Sequence, residues 1–316
     1  MTGEAGMSIR VGMGSGLNIS LSPDLYWQWV ALCDDSGIDS IWHSEQLLGE
    51  VLDPLVLLSA LAARTRRLRF GTNAIVAAFH DPIVIAKQFA TIDYLAPGRL
   101  LPVFGVGNAG DPYWAATGAS PGLRGKISNE AITLIRALLE DEQISFHGEH
   151  FRYDGPGIWP RPSRPPPLWI GGDSAAAVQR TATHGDGWLG GLVPPDKAAE
   201  VVANIKAAAA RAGRTIDQDH YGVTVLVRIG SPDDPAVSAM RARLAARLNE
   251  IDGAPRADLL AVGDADDLAA LFHRHIAAGV HKFVAVPIVT DGADLLAQTE
   301  LLAAHVLPRV EDRVPA

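Results

Sequence analysis

Short β-rich runs alternate with amphipathic stretches along the 316 residues, which predicts an α/β fold. Eight such strand–helix units in about 300 residues favour a closed TIM, or (β/α)8, barrel with insertions over an open sheet. Two further observations support this. Three strand-to-helix loops end on a capping residue followed by proline: Ser22-Pro23, Asp53-Pro54 and Asp81-Pro82. No repeat, low-complexity tail or linker divides the chain, so a single domain over 1–316 is expected.

The strands are expected at 9–13, 40–43, 68–73, 100–106, 168–171, 187–192, 221–229 and 282–287, where β-branched and apolar residues concentrate. The helices are expected at 23–36, 54–64, 82–95, 123–139, 174–184, 197–212, 266–278 and 291–306. Gly37, Gly213 and Gly279 follow helical runs and mark stops. Insertions break the spacing near 140–167 and 232–262. The first holds ISFHGEHFRY at 144–153, which alternates around a turn and reads as a hairpin, and then a proline-rich connector. The second holds a helical patch at 237–250 with no strand of its own.

Composition narrows the function. The 27 basic residues against 36 acidic ones give a net charge of −9, which argues against nucleic acid or an anionic membrane as the partner. No apolar run reaches the roughly 20 residues of a membrane span, and residues 1–10 are too short and polar for a secretory signal. A cytoplasmic protein is expected. The single cysteine, Cys33, excludes an internal disulfide and reads as a buried helix residue.

In a parallel barrel the chemistry gathers in the loops after the strands. Those loops hold Ser44, Glu45 and Gln46; Thr72, Asn73 and Ala74; His80 and Asp81; Gly105, Gly107 and Asn108; and Gly171, Gly172, Asp173 and Ser174. The last set places two glycines before a helix start, where free amides and the helix dipole suit a phosphate. A plain tight turn with Ser174 as the cap is the competing reading. GVGNAG at 105–110 spells G-x-G-x-x-G, but no helix opens within it as a dinucleotide fingerprint requires. No lysine stands at a strand's C-terminal end for a Schiff base. His147, His150, His273 and His275 read as surface histidines, so no metal centre is expected. Only Glu45 is a well-placed carboxylate, which weakens a glycosidase reading, and Ser44 lacks a nucleophile elbow. A phosphate-like pocket with few acid–base groups suits a redox cofactor that carries its own chemistry.

Several segments together resemble the luciferase-like superfamily of flavin- and deazaflavin-dependent oxidoreductases: GIDSIWHSEQ at 37–46, RLRFGTNA at 67–74, FHDPIVIAKQFATIDYLAPGRL at 79–100, VFGVGNAG at 103–110 and PLWIGGDSAAAVQRTATHGDGWL at 167–189. GDADDLAALFHRHIAAGVHKFVAV at 263–286 is similar to the closing helix and strand. The resemblance implies an eight-stranded barrel, usually dimeric, with the cofactor ring in its mouth. It places Thr72, Asn73 and Ala74 at a bulge behind the ring, with a cis peptide after Asn73. Asn108 would reach the ring or its side chain, and Gly171, Gly172, Asp173 and Ser174 would grip the phosphate.

Within the superfamily the chain looks more like the actinobacterial branch that uses coenzyme F420, which implies hydride transfer to or from a small, uncharged organic substrate. An FMN-dependent two-component monooxygenase is the alternative, and a non-catalytic flavin-binding barrel is a third of another class. The branch's acid-then-histidine pair is Glu45-Gln46 here, and its glutamate after the fourth strand is Gly110. Both departures argue against a sugar-phosphate substrate. Glu45 is expected to protonate the substrate or to hydrogen-bond the deazaflavin hydroxyl, with His80 in reserve. Trp42, His43, Leu47, Leu48, Trp114 and Trp159 are candidates to shape the substrate pocket, with core packing the competing and commoner reading.

Overall fold

The structure, a computed structural model, describes residues 8–15, 21–48, 51–249 and 259–311, without the side chains of 245–249 and 311. In chain order the elements begin with β1 (Arg10–Gly14), α1 (Pro23–Asp35), β2 (Ser40–His43), α2 (Pro54–Arg64), β3 (Arg69–Thr72), β4 (Ile75–Val76) and α3 (Pro82–Leu95). Then come β5 (Leu100–Leu101), β6 (Val103–Gly105), α4 (Tyr113–Thr117), α5 (Arg124–Glu140), the hairpin β7 (Gln143–His147) and β8 (Arg152–Pro156), and β9 (Trp169–Gly171). The chain continues through α6 (Ala175–His184), β10 (Gly187–Leu192), α7 (Pro195–Arg211), β11 (Tyr221–Ile229) and α8 (Pro235–Asn249). It ends with β12 (Leu260–Gly263), α9 (Ala265–Ala277), β13 (Lys282–Pro287), α10 (Gly292–Leu301) and α11 (Leu307–Glu311).

The residues group into two compact units. The first takes Met1–Ile41, Gly190–Asn204 and Asp217–Ala316; the second takes Trp42–Leu189 and Ile205–Ile216. In the first unit, β13 lies between β1 and β11 in parallel register, with Val11 opposite Phe283 and Val223 opposite Phe283, and β12 adds to β11. Phe272 and Phe283 meet at 4.7 Å between centroids in its core, beside the fully buried Tyr221 and Met13. Trp29 of α1 donates its indole N–H to Thr299 Oγ1 of α10 at 3.0 Å, so a buried polar atom is satisfied as it packs.

The second unit contains the alternation β3, α3, β5–β6, α5, β9, α6. Its strand pairs β3–β5, β4–β6, β6–β9 and β9–β10 are all parallel, and only the β7–β8 hairpin is antiparallel. Phe70, Phe89, Phe104, Leu58, Ile135 and Ile170 form its apolar interior at no more than 1% exposure. Each such side chain contributes roughly 1.5–3 kcal/mol by leaving water. The helix starts follow the sequence: Ser22, Asp53 and Asp81 each stand before a proline and cap α1, α2 and α3, accepting from Leu25 N, from Val56 N, and from Ile83 N and Val84 N. Glu130 of α5 accepts the N–H groups of Glu149, His150 and Phe151, which ties the hairpin turn to the helix.

Most expected elements stand within two residues of their predicted bounds, and the departures have local causes. The run 100–106 is two short strands because Pro102 has no N–H to give to a ladder. Thr72 takes over there: its hydroxyl accepts from Val103 N at 2.8 Å and donates to Val103 O at 3.0 Å. The paired strands of the second unit accordingly fall into two runs, β3–β5 and β4–β6–β9–β10. Strands β4 and β12 and helix α4 were not expected; each is five residues or shorter and shows no full period. The last helix passes through a π turn at Leu302–Val306 before α11. His275 is a correction, since it is 2% exposed against the ring of Phe283 and not on the surface. Of the predicted patch 237–250, α8 supplies 237–249, and Glu250 lies outside the described residues, as does 251–258 of the second insertion.

Candidate active site

Every sequence-predicted site residue falls in the second unit, on loops that leave the C-terminal ends of β2, β3, β6 and β9. The end of β2 and the turn after β3 are laced together. Asn73 N donates to His43 O at 2.7 Å, and Ser44 Oγ donates to Asn73 O at 2.8 Å. The Asn73–Ala74 peptide between them is cis, as the family resemblance implied. His43 itself is 2% exposed, and burial lowers its pKa to about 4, so the ring is neutral at ordinary pH.

Glu45 and His80, 35 residues apart, meet across this turn. Glu45 Oε1 lies 2.5 Å from His80 Nε2, and Oε2 accepts Val76 N at 2.8 Å. The carboxylate side chain is 3% exposed and the imidazole 20%. Two neighbours hold the histidine there. A single 3-10 turn at Ala77–Phe79 ends on His80, whose N–H returns to Ala77 O. Asp81, not His80, caps α3 by accepting Ile83 N and Val84 N, so the imidazole has no capping duty.

The loop after β6 turns at Gly107, where φ is +68°. Asn108 Oδ1 accepts Gly110 N at 3.1 Å, and its carbonyl accepts the Trp114 indole N–H at 2.8 Å. Asn108 is thus a turn former, and the residue is exposed. Trp114 is 4% exposed and meets Phe79 at 4.5 Å between centroids, with Tyr113 on the other side at 6.2 Å. These aromatics wall the loop that carries His80. Leu48 and Trp159 are exposed, at 69% and 77%, and Trp42 is in the core against Gly71.

At the end of β9, Gly172 has φ +100° and its carbonyl takes the Trp188 indole N–H at 2.7 Å. Ser174 caps α6 through Ala177 N at 3.2 Å, which satisfies the turn reading and still leaves the first amides of α6 available. Two arginines that the sequence reading overlooked stand beside this helix. Arg124 opens α5, and Arg180 of α6 reaches back to Gly125 O at 3.3 Å and Asn129 Oδ1 at 2.6 Å. Among the described residues neither has a carboxylate partner, and Arg124 Nε is buried with no acceptor. Burial, and then the nearby Arg124, lower the Arg180 pKa. A cation at the first position of a helix opposes the macrodipole. That anomaly at Arg124 was the signal available in the sequence.

The profile of the luciferase-like monooxygenase family matches residues 9–289. The chain belongs to that family. Its luciferase-like relatives include an F420-dependent glucose-6-phosphate dehydrogenase of Kineococcus radiotolerans, 26% identical over 264 residues, covering 79% of this chain and 76% of the relative. Another of that description, from Nakamurella multipartita, is 30% identical over 58% of each chain. Among solved structures, an F420-dependent secondary alcohol dehydrogenase bound to an F420–acetone adduct superposes with a TM-score of 0.82 at 18% identity, over 96% of this chain and 99% of that one. The oxygenating constituent of 3,6-diketocamphane monooxygenase from Pseudomonas putida, with FMN, gives 0.80 at 16% identity, over 96% and 99%. The fold is therefore the luciferase-like α/β fold, and the protein is an oxidoreductase enzyme, which removes the non-catalytic alternative. No helix among the described residues is long and apolar enough to cross a membrane.

Proposed function

We propose that this protein is a coenzyme F420-dependent oxidoreductase that moves a hydride between the deazaflavin and a small uncharged organic substrate. The observation that carries the reading is the pairing, in one unit, of an anion grip with a single buried acid–base couple. Arg124, Arg180 and the amides from Gly171 to Ser174 supply the grip, and the orphaned Arg124 Nε fits a phosphate oxygen. Glu45 and His80 form the couple. The deazaflavin supplies a hydride donor or acceptor when bound. The chain's own residues do the rest: the cis turn at Thr72, Asn73 and Ala74 backs the ring, Asn108 offers its amide to it, and Phe79 and Trp114 keep water from that side. The F420-dependent relatives support F420 over FMN.

Closure of β5 and β6 into one barrel strand, a single domain, a homodimer and a cytoplasmic location belong to the same proposal. The pairing of β5 with β3 and of β6 with β9 supports closure, and exposed Val56, Val84, Tyr94 and Leu95 support a subunit contact. The test is parallel titration with F420 and FMN, followed by turnover of reduced F420 with a panel of ketones and enones. Micromolar F420 binding with substrate-dependent oxidation supports the reading. FMN binding with oxygen-dependent turnover would replace it.

A further inference from the structure

The Glu45–His80 couple divides its labour, and we infer that His80 is the residue that exchanges the proton with substrate while Glu45 positions it. This rests on the hydride-transfer reading above. Glu45 is poorly placed to meet a substrate. Its side chain is 3% exposed, Oε2 is taken by Val76 N and Oε1 by His80 Nε2. His80 is the more exposed partner at 20%, and among the described residues its Nδ1 has no hydrogen bond.

The contact fixes which nitrogen works. A carboxylate that already accepts a backbone N–H needs a donor at Nε2, so the neutral ring carries its proton there and leaves the Nδ1 lone pair bare. The same carboxylate stabilises the imidazolium formed when Nδ1 takes a proton. For reduction of a ketone, a bound reduced deazaflavin would supply the hydride to the carbonyl carbon, leaving the deazaflavin oxidised, and the C=O π pair would move to oxygen. Oxygen would take the proton from Nδ1 of the imidazolium, giving a secondary alcohol, and solvent would reprotonate the neutral imidazole. Gln46, the residue next to Glu45, is exposed and has no titratable proton to contribute.

Two measurements test this. The first needs no cofactor: ¹⁵N NMR of the imidazoles in the free protein, with the His80 signal assigned by its loss in His80→Asn. In spectra taken at alkaline pH, where the ring is neutral, the proton is expected on Nε2, and a neutral ring whose proton sits on Nδ1 overturns the assignment. The second uses acetone and cyclohexenone with reduced F420. His80→Ala should lower kcat about 10²-fold or more, with F420 affinity within threefold of wild type, and added imidazole should restore at least tenfold of the loss. Glu45→Gln should lower kcat at least tenfold with KM and F420 affinity held. Full turnover in a folded His80→Ala protein, or a loss that imidazole does not repair, would sink the role of His80 alone. A wild-type protein that binds no F420 would sink the function instead, and the tautomer would then decide the geometry.

Discussion

Replacing Gly172 with valine strikes the proposed phosphate grip without touching Glu45 or His80. At φ +100° a side chain is strained whatever space surrounds it, and an added Cβ would also come within 3.4 Å of Ala177 Cβ. Strain of this kind costs about 1–3 kcal/mol. The loop can escape by rotating the Gly172 peptide, but that withdraws the carbonyl from the Trp188 indole N–H, a bond of 2.7 Å to a side chain that is 0% exposed. An unsatisfied buried donor costs about 1–3 kcal/mol as well. Either route leaves the amides ahead of α6 misplaced for an anion. If half of a cost near 3 kcal/mol falls on the bound state, F420 binds roughly tenfold more weakly, because 1.4 kcal/mol is tenfold. Fluorescence titration measures the affinity, and urea unfolding measures the stability in parallel. Wild-type affinity in a folded Gly172→Val protein would refute the placement of the phosphate at this loop.

Other substitutions and conditions probe separate parts of the molecule. Arg124→Ala should weaken F420 binding about tenfold and flatten its salt dependence, while folding stability holds or rises by a few tenths of a kcal/mol because a cation leaves a helix N-terminus; a clear loss of stability would mark Arg124 as structural. Gly71→Ala would press a Cβ to 2.5 Å from the Trp42 ring and 2.6 Å from Leu101 O, and a loss of about 1–3 kcal/mol in urea is expected, so an unchanged midpoint would contradict the packing. His275 and His43 both have their pKa values lowered by burial to about 4 from 6.5. The unfolded chain then binds more protons, so stability is full above pH 6.5 and falls towards pH 4, by roughly 2–3 kcal/mol for each group. His275→Leu should flatten that decline in chemical unfolding series, and an identical slope would exclude His275.

The sequence exposed what depends on neighbours in the chain and hid what depends on distant ones. Ser22, Asp53 and Asp81 announce helix starts because a cap acts over three residues, and all three caps are present. The strand 100–106 was misjudged because a run of apolar residues does not show that Pro102 breaks the ladder, or that Thr72, 31 residues upstream of Val103, mends it with its side chain. The site shows the same division. Glu45 was legible from its place after β2, and His80 from its place before Pro82, each as a single candidate. Their 2.5 Å contact was not, since it needs the turn at Ala77–Phe79 to swing the imidazole back over β2. On our inference that contact divides the roles: a lone strand-end carboxylate reads as the acid, whereas one that is 3% exposed and engaged at both oxygens suits holding a partner imidazole. The Arg124–Arg180 pair was hidden for a related reason: 56 residues separate them, and only the packing of α5 on α6 brings Arg180 Nη2 to the backbone beside Arg124. A chemical site assembled from separate loops is written in pairings, and a single sequence displays positions without pairings.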